Sequence, residues 1–361
     1  MNTGGPIRVG IVGANAARGW ARDAHVPALK RLTQDFTIAA VSARTLPLAQ
    51  EARTAFDAQQ AFGDSLELVR DPGVDLVAVT VKVPEHRAVV LASLAAGKHV
   101  YCEWPLGRDV AEAEEMAGAV GAHCHAVIGL QGLSAPAILE AAQLVRDGAI
   151  GNPLMARVFS PTAGWGAEAP PFYAYLQDRR NGATLETIAG GHTLAVIEAI
   201  VGAYIEVDAR DSILRKQVRI TGTDEVVERT CADHMMVLGQ HASGCVSTLE
   251  VVSGTASRPF SLEVTGDRGF IKVSGSFPGG FQAGELTLET SGPRATQVMH
   301  APSGLKGPPV NIAEGYMRLA ADIRSGHRTM PDFAVAVGLS RLLESIDRAS
   351  KTGERQHRSS G

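Results

Sequence analysis

A glycine-containing turn follows the first apolar run of the chain and has the residue types of a dinucleotide-binding loop. The run Ile7–Val12 leads into Gly13, Ala14, Asn15 and Ala16. Glycine permits a tight turn, and the alanines are small enough for backbone N–H groups to approach a pyrophosphate at a helix N-terminus. Only the first glycine of a GxGxxG pattern is present in register. We expect these four residues to bind a cofactor, with an ordinary strand-to-helix turn as the alternative.

Ser42 and Arg44 come just after the second apolar run, Phe36–Val41. A fold that binds NAD through its ribose hydroxyls places an acidic residue here, and this segment has none. A hydroxyl and a guanidinium instead suit the 2′-phosphate of NADP, through charge-assisted hydrogen bonds. The sequence therefore predicts NADP as the preferred cofactor and NAD as the second candidate. The alternative for Arg44 is a solvated residue at the start of a helix.

Two further loops follow apolar runs, and they carry polar and aromatic side chains. They are Thr80–His86 and Cys102–Leu106. With Ala96–Leu106 as the best landmark, residues 7–130 resemble the glucose-fructose oxidoreductase, inositol dehydrogenase and rhizopine-catabolism (Gfo/Idh/MocA) family. The two-domain plan of that family covers nearly the whole chain. Three segments resemble its branch related to a fungal galactose-pathway repressor: Glu103–Leu106, Gly129–Gly132 and Gly190–Leu194.

The resemblance implies which residues contact the dinucleotide beyond the glycine turn. They are Val81, Lys82, His86, Glu103, Trp104, Pro105 and Gln131. Two departures from the family pattern accompany this match. Enzymes of the family usually have lysine where this chain has Trp104, and that lysine contacts nicotinamide and substrate. They also commonly have an aspartate four residues before a histidine of the second domain, whereas Ile188 precedes His192 at that spacing.

His192 is the residue we expect to move a proton. Oxidation of an alcohol by hydride transfer requires a base near the hydroxyl, and reduction of a ketone requires an acid. The resemblance directs His192 towards the nicotinamide, and an imidazole exchanges protons near neutral pH. The alternative is a histidine bonded to nearby backbone. Lys82, after a parallel strand, is a second catalytic candidate, with a surface lysine or a cofactor-phosphate contact as its alternatives.

An aromatic segment, Gly164–Tyr175, contains candidate substrate contacts. Trp165, Tyr173 and Tyr175 can stack on the apolar face of a sugar, although ordinary packing explains the rings equally well. His192 joins them as a substrate-binding candidate.

No metal site is expected. The segment His123–His125 has metal-binding residue types, but alternation along a strand places Cys124 opposite the two histidines. The four cysteines lack CxxC spacing, so we predict reduced thiols and no disulfide.

The elements that position these residues follow two patterns. From Ile7 to about Leu130, β-type runs alternate with helical spacing, which predicts a doubly wound α/β Rossmann domain. Asp109 is the predicted N-cap of one helix. Beyond this region, helices and several strand-like runs, one of them Val226–Val237, predict an α+β domain with a large, mostly antiparallel sheet. The predicted domains are residues 1–130, for NAD(P) binding, and 131–361, for substrate binding and oligomerisation.

Composition narrows the function further. The chain has 361 residues, 45% hydrophobic, and a net charge of −4, which offers no basic field for nucleic acid or an anionic membrane. No apolar run reaches the length of a membrane span, so we expect a cytoplasmic protein. We also expect the tail from Lys351 to be frayed, as chain termini often are. One face of the large sheet is expected to be covered by a sister subunit, giving a homodimer or homotetramer.

Two functions remain open at this level. The first is an NADP-dependent oxidoreductase acting on the CH–OH group of a sugar, polyol or related hydroxy or keto compound. The second is a catalytically silent regulatory protein that senses a dinucleotide or sugar on the same fold and binds a protein partner. The missing lysine and aspartate favour the second, and the retained His192 and aromatic segment favour the first.

Overall fold

The computed structural model describes residues 5–255, 258–291 and 297–358. Packing divides the chain into two compact units. The first contains the chain up to Gln131 together with Pro302–Val337, and the second contains Gly132–Ala301 and the chain from Gly338 onward. This division differs from the sequence-based one because residues 302–337 return to the first unit. The functions assigned to the two domains stay predictions.

The strands are numbered in chain order. They are β1 (Ile7–Val12), β2 (Phe36–Ser42), β3 (Gln60–Phe62), β4 (Leu76–Val79), β5 (His99–Glu103), β6 (Ala126–Gly129), β7 (Pro153–Pro161), β8 (Glu168–Ala169), β9 (Tyr204–Ser212), β10 (Gln217–Ile220), β11 (Val226–Glu228), β12 (His234–His241), β13 (Val246–Val252), β14 (Phe260–Gly266), β15 (Phe270–Gly275), β16 (Leu286–Thr290), β17 (Gln297–Met299) and β18 (Gln356–His357).

The α-helices are numbered in the same way. They are α1 (Val26–Arg31), α2 (Leu46–Phe56), α3 (Ser65–Arg70), α4 (Val83–Ala95), α5 (Val110–Gly118), α6 (Pro136–Arg146), α7 (Gly191–Val201), α8 (Pro309–Ser325) and α9 (Phe333–Thr352). Two π-helical turns, Ala21–His25 and Glu186–Gly190, lead directly into α1 and α7.

The first unit contains the predicted Rossmann sheet. Its six strands are parallel in the order β3-β2-β1-β4-β5-β6, which is the doubly wound order of dinucleotide-binding folds. All four residues of β4 and of β6 are buried, as expected for parallel strands covered on both faces. Asp109 caps α5 by accepting a hydrogen bond from the Glu112 backbone N–H, which confirms the predicted cap. The fold class predicted for this region is confirmed.

Helix α8 belongs to the core of the first unit, although Gly132–Ala301 of the second unit separates it from the rest of the first unit along the chain. Its residues Ile312, Tyr316 and Leu319 are buried in the same hydrophobic cluster as Val9 and Phe36. The segment that follows α8 also joins the sheet edge, because the Ile128 N–H donates to the Pro331 carbonyl oxygen.

The second unit contains the predicted large sheet. Nine strands lie in the order β17-β16-β15-β14-β7-β13-β12-β9-β18. The described neighbours pair antiparallel except for β7 and β13, which confirms a mostly antiparallel sheet. A smaller sheet has the order β11-β10-β8. On β12 the side chains alternate, with Met235 and Val237 buried while Met236 and Leu238 are exposed.

The single strand predicted over Val226–Val237 is wrong. The structure forms β11 and β12 with an irregular segment between them. Arg229 and Asp233 cause the interruption, because both side chains are fully buried and pair at 2.8 Å. The Arg229 guanidinium also donates to the Gln177 side chain and to the Gly166 carbonyl oxygen. In a continuous strand, residues four apart lie roughly 13 Å apart along the chain, too far for this pair to meet.

The predicted frayed tail is also wrong over the described part, which ends at Arg358. Helix α9 continues to Thr352, and β18 then pairs with β9. The Arg358 N–H donates to the Ile205 carbonyl oxygen at 2.8 Å, and its guanidinium lies 3.2 Å from Glu198 Oε1. These bonds anchor the tail. Residues 359–361 lie outside the described part.

Among the described residues, no helix has the length and apolarity needed to cross a lipid bilayer. The four cysteines are buried free thiols.

Candidate functional site

The turn after β1 requires glycine at position 13. Gly13 has a φ of +95°, a conformation that L side chains rarely adopt. A Cβ at this position would lie 2.9 Å from Val81 Cγ1 and 3.0 Å from the Val81 backbone nitrogen. The turn therefore packs against the loop after β4. Gly13 and Val81 lie together because β1 and β4 are neighbouring parallel strands.

The backbone of the turn is fixed by hydrogen bonds within the first unit. The Gly13 and Ala14 N–H groups both donate to the Ser42 carbonyl oxygen, at 3.2 Å and 2.9 Å. Asn15 Oδ1 accepts from the N–H groups of Ala17 and Arg18. The first helical turn starts only at Ala21, later than in a compact GxGxxG turn. The Ala14 N–H is therefore already bonded to the end of β2. Asn15 holds the loop in place through its side-chain oxygen, at a position where the GxGxxG pattern has glycine.

Ser42 and Arg44 differ in accessibility. Ser42 is fully buried, and its hydroxyl lies 3.2 Å from that of Ser65. Arg44 is exposed, two residues before α2, and no described residue forms a hydrogen bond or ion pair with its guanidinium. Only Arg44 of this pair therefore offers a charged group to a ligand directly.

His86 ties two loops of the candidate site together. It is buried, with Nε2 3.0 Å from the Val81 carbonyl oxygen and Nδ1 3.0 Å from that of Pro105. Burial lowers the pKa of His86, so the ring is neutral and donates through one nitrogen at a time. Both nitrogens face backbone oxygens, so His86 positions the loops, and its predicted contact with the cofactor stays a prediction.

Glu103 belongs to a buried polar chain that the sequence did not reveal. Its Oε1 lies 2.9 Å from His25 Nε2, and His25 Nδ1 lies 2.8 Å from the Tyr316 hydroxyl. The Tyr316 ring stacks on Tyr101, with centroids 5.0 Å apart. Burial raises the pKa of Tyr316 well above its usual value, so the phenol keeps its proton. His25 and Tyr316 lie on helical segments that also carry charged residues, so the local sequence did not single them out.

Room for the Glu103 carboxylate comes from Gly129. A Cβ at residue 129 would lie 2.7 Å from Glu103 Oε1, so any larger residue would displace the carboxylate. Two residues later, Gln131 is buried, and its side-chain oxygen has no hydrogen-bond partner among the described residues. A buried carbonyl oxygen without a donor is unfavourable by about 1 to 3 kcal/mol, so Gln131 is suited to accept a bond from a ligand.

The remaining predicted cofactor residues lie on the same two loops. Lys82 is exposed at the N-cap of α4. Trp104 and Pro105 are buried immediately after β5, joined by a cis peptide bond. The lysine of the family pattern is therefore replaced by a packed indole, and Ala16 lies in the loop before the first π-helical turn.

His192, in the second unit, is a buried imidazole on the first turn of α7. It is 4% exposed, and its Nδ1 has no hydrogen-bond partner among the described residues. Burial lowers the pKa of His192 to about 3, so the ring is neutral at physiological pH. The neighbouring Thr193 hydroxyl bonds instead to Ser160 and to the Ala189 carbonyl oxygen. The predicted alternative, a histidine satisfied by backbone, does not describe Nδ1.

The aromatic segment lies between β7 and β10 in the same unit. Tyr173 is 47% exposed, and its ring packs edge to face against Phe172. Trp165 and Tyr175 are half-buried, and Trp165 Nε1 donates to the Leu176 carbonyl oxygen. These rings are accessible enough to contact a substrate. Within the described ranges, no three His, Cys, Asp or Glu side chains are grouped closely enough to hold a metal ion.

Two family models match this chain. The model described as the oxidoreductase family with an NAD-binding Rossmann fold matches residues 7–128. The model described as the Gal80p C-terminal domain matches residues 136–275. The two matches follow each other along the chain.

Similar proteins include both regulators and dehydrogenases. The galactose/lactose metabolism regulatory protein of Kluyveromyces lactis is 29% identical over 303 residues, which cover 74% of this chain and 66% of that protein, just under two thirds of its length. Dehydrogenase aclE of Aspergillus oryzae is 30% identical over 282 residues, which cover 74% of this chain and 77% of that dehydrogenase. The crystal structure of a super-repressor mutant of Gal80p from Saccharomyces cerevisiae superposes with a TM-score of 0.86 at 24% identity, covering 98% of each chain. That likeness shows the shared fold.

Proposed function

Because the chain belongs to the Gfo/Idh/MocA oxidoreductase family, in its Gal80-like branch, we propose that it is an NADP-dependent oxidoreductase. Its substrate is the CH–OH group, or the corresponding carbonyl, of a sugar, polyol or related compound. The single observation that carries this assignment is the buried, neutral His192 with its unpartnered Nδ1. A buried polar atom in this state is available to form a hydrogen bond with a bound molecule.

The residues of the first unit fit a nicotinamide dinucleotide. Gly13 lets the turn pack against Val81, which brings the loops after β1 and β4 together at the carboxyl ends of these strands. Gln131 offers an unpartnered carbonyl oxygen at the end of β6. Glu103, Trp104 and the residues joined through His86 form the walls that hold the nicotinamide.

NADP is preferred to NAD in this proposal because of the end of β2. Arg44 presents an uncompensated guanidinium, and the segment lacks the carboxylate that binds unphosphorylated ribose. A guanidinium forms two parallel bonds with a phosphate, which favours the 2′-phosphate of NADP. Buried Ser42 supports this role by holding the Gly13 turn through its backbone carbonyl oxygen.

When bound, the nicotinamide supplies the hydride acceptor or donor. His192 accepts the proton of the substrate hydroxyl through Nδ1 as the carbon is oxidised, and the neutral ring is in the correct state for this step. The pKa of about 3 disfavours His192 as a proton donor in the unliganded protein. The same value makes the neutral ring a weak base, so the charge state of His192 does not select a reaction direction. Trp165, Tyr173 and Tyr175 supply stacking surfaces for the substrate, and Lys82 remains a second candidate for proton transfer.

A regulatory function is the second candidate, and one observation favours it. Trp104 is a buried indole in place of the lysine that usually contacts substrate in family enzymes. The relatives named as galactose/lactose regulatory proteins give this alternative a precedent. In that case the same residues bind a dinucleotide without turnover, and the bound state is read by a protein partner.

The experiment that separates the two functions begins with cofactor binding. Purified protein is titrated with NADP⁺ and NADPH, and nicotinamide absorbance is then followed against pooled sugars, polyols and their keto forms. Turnover that is lost in His192→Ala and kept in His300→Ala, an exposed histidine of the same unit, supports the proposal. Binding without turnover across the pool supports the regulator. The four thiols fit a reducing compartment, so we place either function in the cytoplasm.

A further inference from the structure

A cleft of 390 Å³ lies in the first unit at the amino-terminal ends of its parallel strands. His99 starts β5, His125 immediately precedes β6, and both line the cleft. The Gly13 turn lies at the opposite, carboxyl-terminal ends of the strands. Strands of five or six residues separate the two ends by roughly 15 to 20 Å. The cleft is therefore distinct from the proposed dinucleotide site, and its volume is within the range of small-molecule pockets.

His99 presents a buried hydrogen-bond donor without an acceptor. The side chain is 2% exposed, and Nδ1 accepts a hydrogen bond from the His125 backbone N–H at 3.0 Å. In the neutral ring, Nε2 therefore carries the proton. Nε2 is buried and has no partner among the described residues. An acceptor supplied by a ligand would satisfy it.

The charged side chains of the cleft are basic. Arg328 donates to the carbonyl oxygens of Ala122 and Cys124, at 2.8 Å and 3.0 Å, and no carboxylate of the described residues pairs with it. Arg324 also lines the cleft and pairs with Asp35. Arg328 thus has no ion-pair partner among the described residues.

The nearby carboxylates are already engaged. Asp322 accepts hydrogen bonds from the Thr329 N–H and hydroxyl and from the Met330 N–H. Asp75 is held by Arg8 through its backbone and guanidinium. Neither carboxylate forms a hydrogen bond or ion pair with Arg328 in the described part of the chain.

The protonation of the histidines reflects this environment. Burial, His125 and Arg328 together lower the pKa of His99 to about 4, and burial and Arg328 lower the pKa of His125. An anion in the cleft would oppose the effect of Arg328 and accept the free N–H of His99.

We propose that this cleft binds the oxyanion group, phosphate or carboxylate, of a small molecule, with Arg328 and His99 Nε2 as its principal contacts. Arg328 supplies the charge and a planar set of donors that suits either group. Because the cleft and the Gly13 turn lie at opposite ends of the parallel strands, this ligand and the dinucleotide can be bound at the same time. The cleft is a second ligand site, independent of whether the protein turns over a substrate.

Calorimetric titration of the full chain tests the site. The probes are inorganic phosphate and malonate, added at constant ionic strength with and without NADP⁺. We expect saturable binding that NADP⁺ does not displace and that Arg328→Gln weakens by about tenfold or more, as loss of a charge-assisted contact predicts. Arg348→Gln, an exposed arginine of α9, is the matched control and should bind as the parent does. The tighter of the two probes identifies the oxyanion as phosphate or carboxylate.

Three results would overturn the site: no saturable binding of either probe, displacement of the probe by NADP⁺, or undiminished binding in Arg328→Gln. If circular dichroism shows that Arg328→Gln does not fold, the histidine ring signals of the parent protein decide by ¹H–¹⁵N NMR. The His99 signals must then shift on addition of the bound probe, and unchanged His99 signals reject the site.

Discussion

His25 Nε2 lies 2.9 Å from Glu103 Oε1 in the first unit, and the same ring reaches the Tyr316 hydroxyl through Nδ1. This contact joins the first helical segment, the end of β5 and α8 through one imidazole. Because Glu103 stands at the carboxyl end of the sheet, its orientation depends on two residues distant in sequence. We infer that His25 and Tyr316 are positioning residues for the proposed nicotinamide pocket.

Substitution of His25 tests this chain of bonds. His25→Phe leaves Glu103 and Tyr316 without their shared partner, so we expect the free energy of unfolding to fall by about 1 to 3 kcal/mol. NADP⁺ affinity should fall as well, because Glu103 is no longer oriented. Tyr316→Phe keeps the stacking on Tyr101 and removes only one bond. In urea denaturation, the double variant should lose less stability than the two single losses added together, and strict additivity would contradict the coupling.

Gly13→Ala tests the close approach of the turn to Val81. The new Cβ meets Val81 atoms at 2.9 Å and 3.0 Å and also forces alanine into a positive φ. Gly97→Ala is the control, since its φ is +70° but its Cβ meets nothing within 4 Å. Both variants should lose about 1 to 2 kcal/mol from backbone strain. Gly13→Ala should lose more stability than this, because its Cβ also clashes with Val81, and it should bind NADP⁺ more weakly. If Gly13→Ala and Gly97→Ala lose the same stability and the same NADP⁺ affinity, the turn is not part of the site.

Arg44→Gln tests the preference for NADP. We expect NADPH affinity to drop by about tenfold or more, whereas NADH affinity stays the same, because only NADPH carries the 2′-phosphate. Fluorescence titration with both cofactors measures the ratio. Arg53→Gln removes an exposed arginine from α2 and serves as the control. A parallel loss of both affinities in Arg44→Gln would show that the guanidinium does not read the 2′-phosphate.

His192→Gln tests the buried neutral imidazole through stability. The folded pKa is about 3 and the unfolded value is 6.5, so the unfolded chain binds a proton that the folded chain excludes as pH falls through this window. The cost reaches about 2 kcal/mol near pH 5. Between about pH 7 and pH 5, His192→Gln should therefore lose about 2 kcal/mol less stability than the parent. Denaturant titration at each pH, with His300→Gln as the control, measures this difference, and identical pH profiles would contradict the low pKa.

Leu238→Glu tests the proposed covering of the large sheet by a sister subunit. Leu238 is 55% exposed on β12, and Met236 on the same strand and Val246 on β13 are 40% and 53% exposed. A carboxylate placed in this patch would be buried without a partner, so we expect the oligomer to dissociate. Light scattering measures the mass, and Leu139→Glu, on the exposed face of α6, should leave it unchanged. A parent protein that is monomeric at micromolar concentration would reject the oligomer.

Elements with a strong local pattern were predictable from sequence. The bounds predicted for β1 agree with the structure, because Ile7–Val12 is rich in β-type apolar residues. The short strands β3 and β18 were not predicted. Three and two residues carry too little periodicity, and their pairing depends on partners elsewhere in the chain.

Several residues of the candidate site were predictable because they follow strands. Gly13 and Gln131 lie at strand ends, and the structure gives each a property suited to a ligand. His25 and Tyr316 were missed because their contact joins positions 291 residues apart. The Arg229 and Asp233 pair was missed for a related reason, since nothing in a local run of apolar residues indicates that two charges will be buried together.

The return of α8 to the first unit has a consequence for how the protein is made. A ribosome delivers Pro302–Val337 only after Gly132–Ala301, most of the second unit, has been synthesised, a delay of roughly 10 to 30 s. During that time the nascent Rossmann sheet lacks Tyr316 and Leu319, and the apolar side chains they cover remain accessible. Completion of the first unit is therefore among the last events of biosynthesis, and a chain halted early presents an unfinished core to the quality-control machinery of the cell.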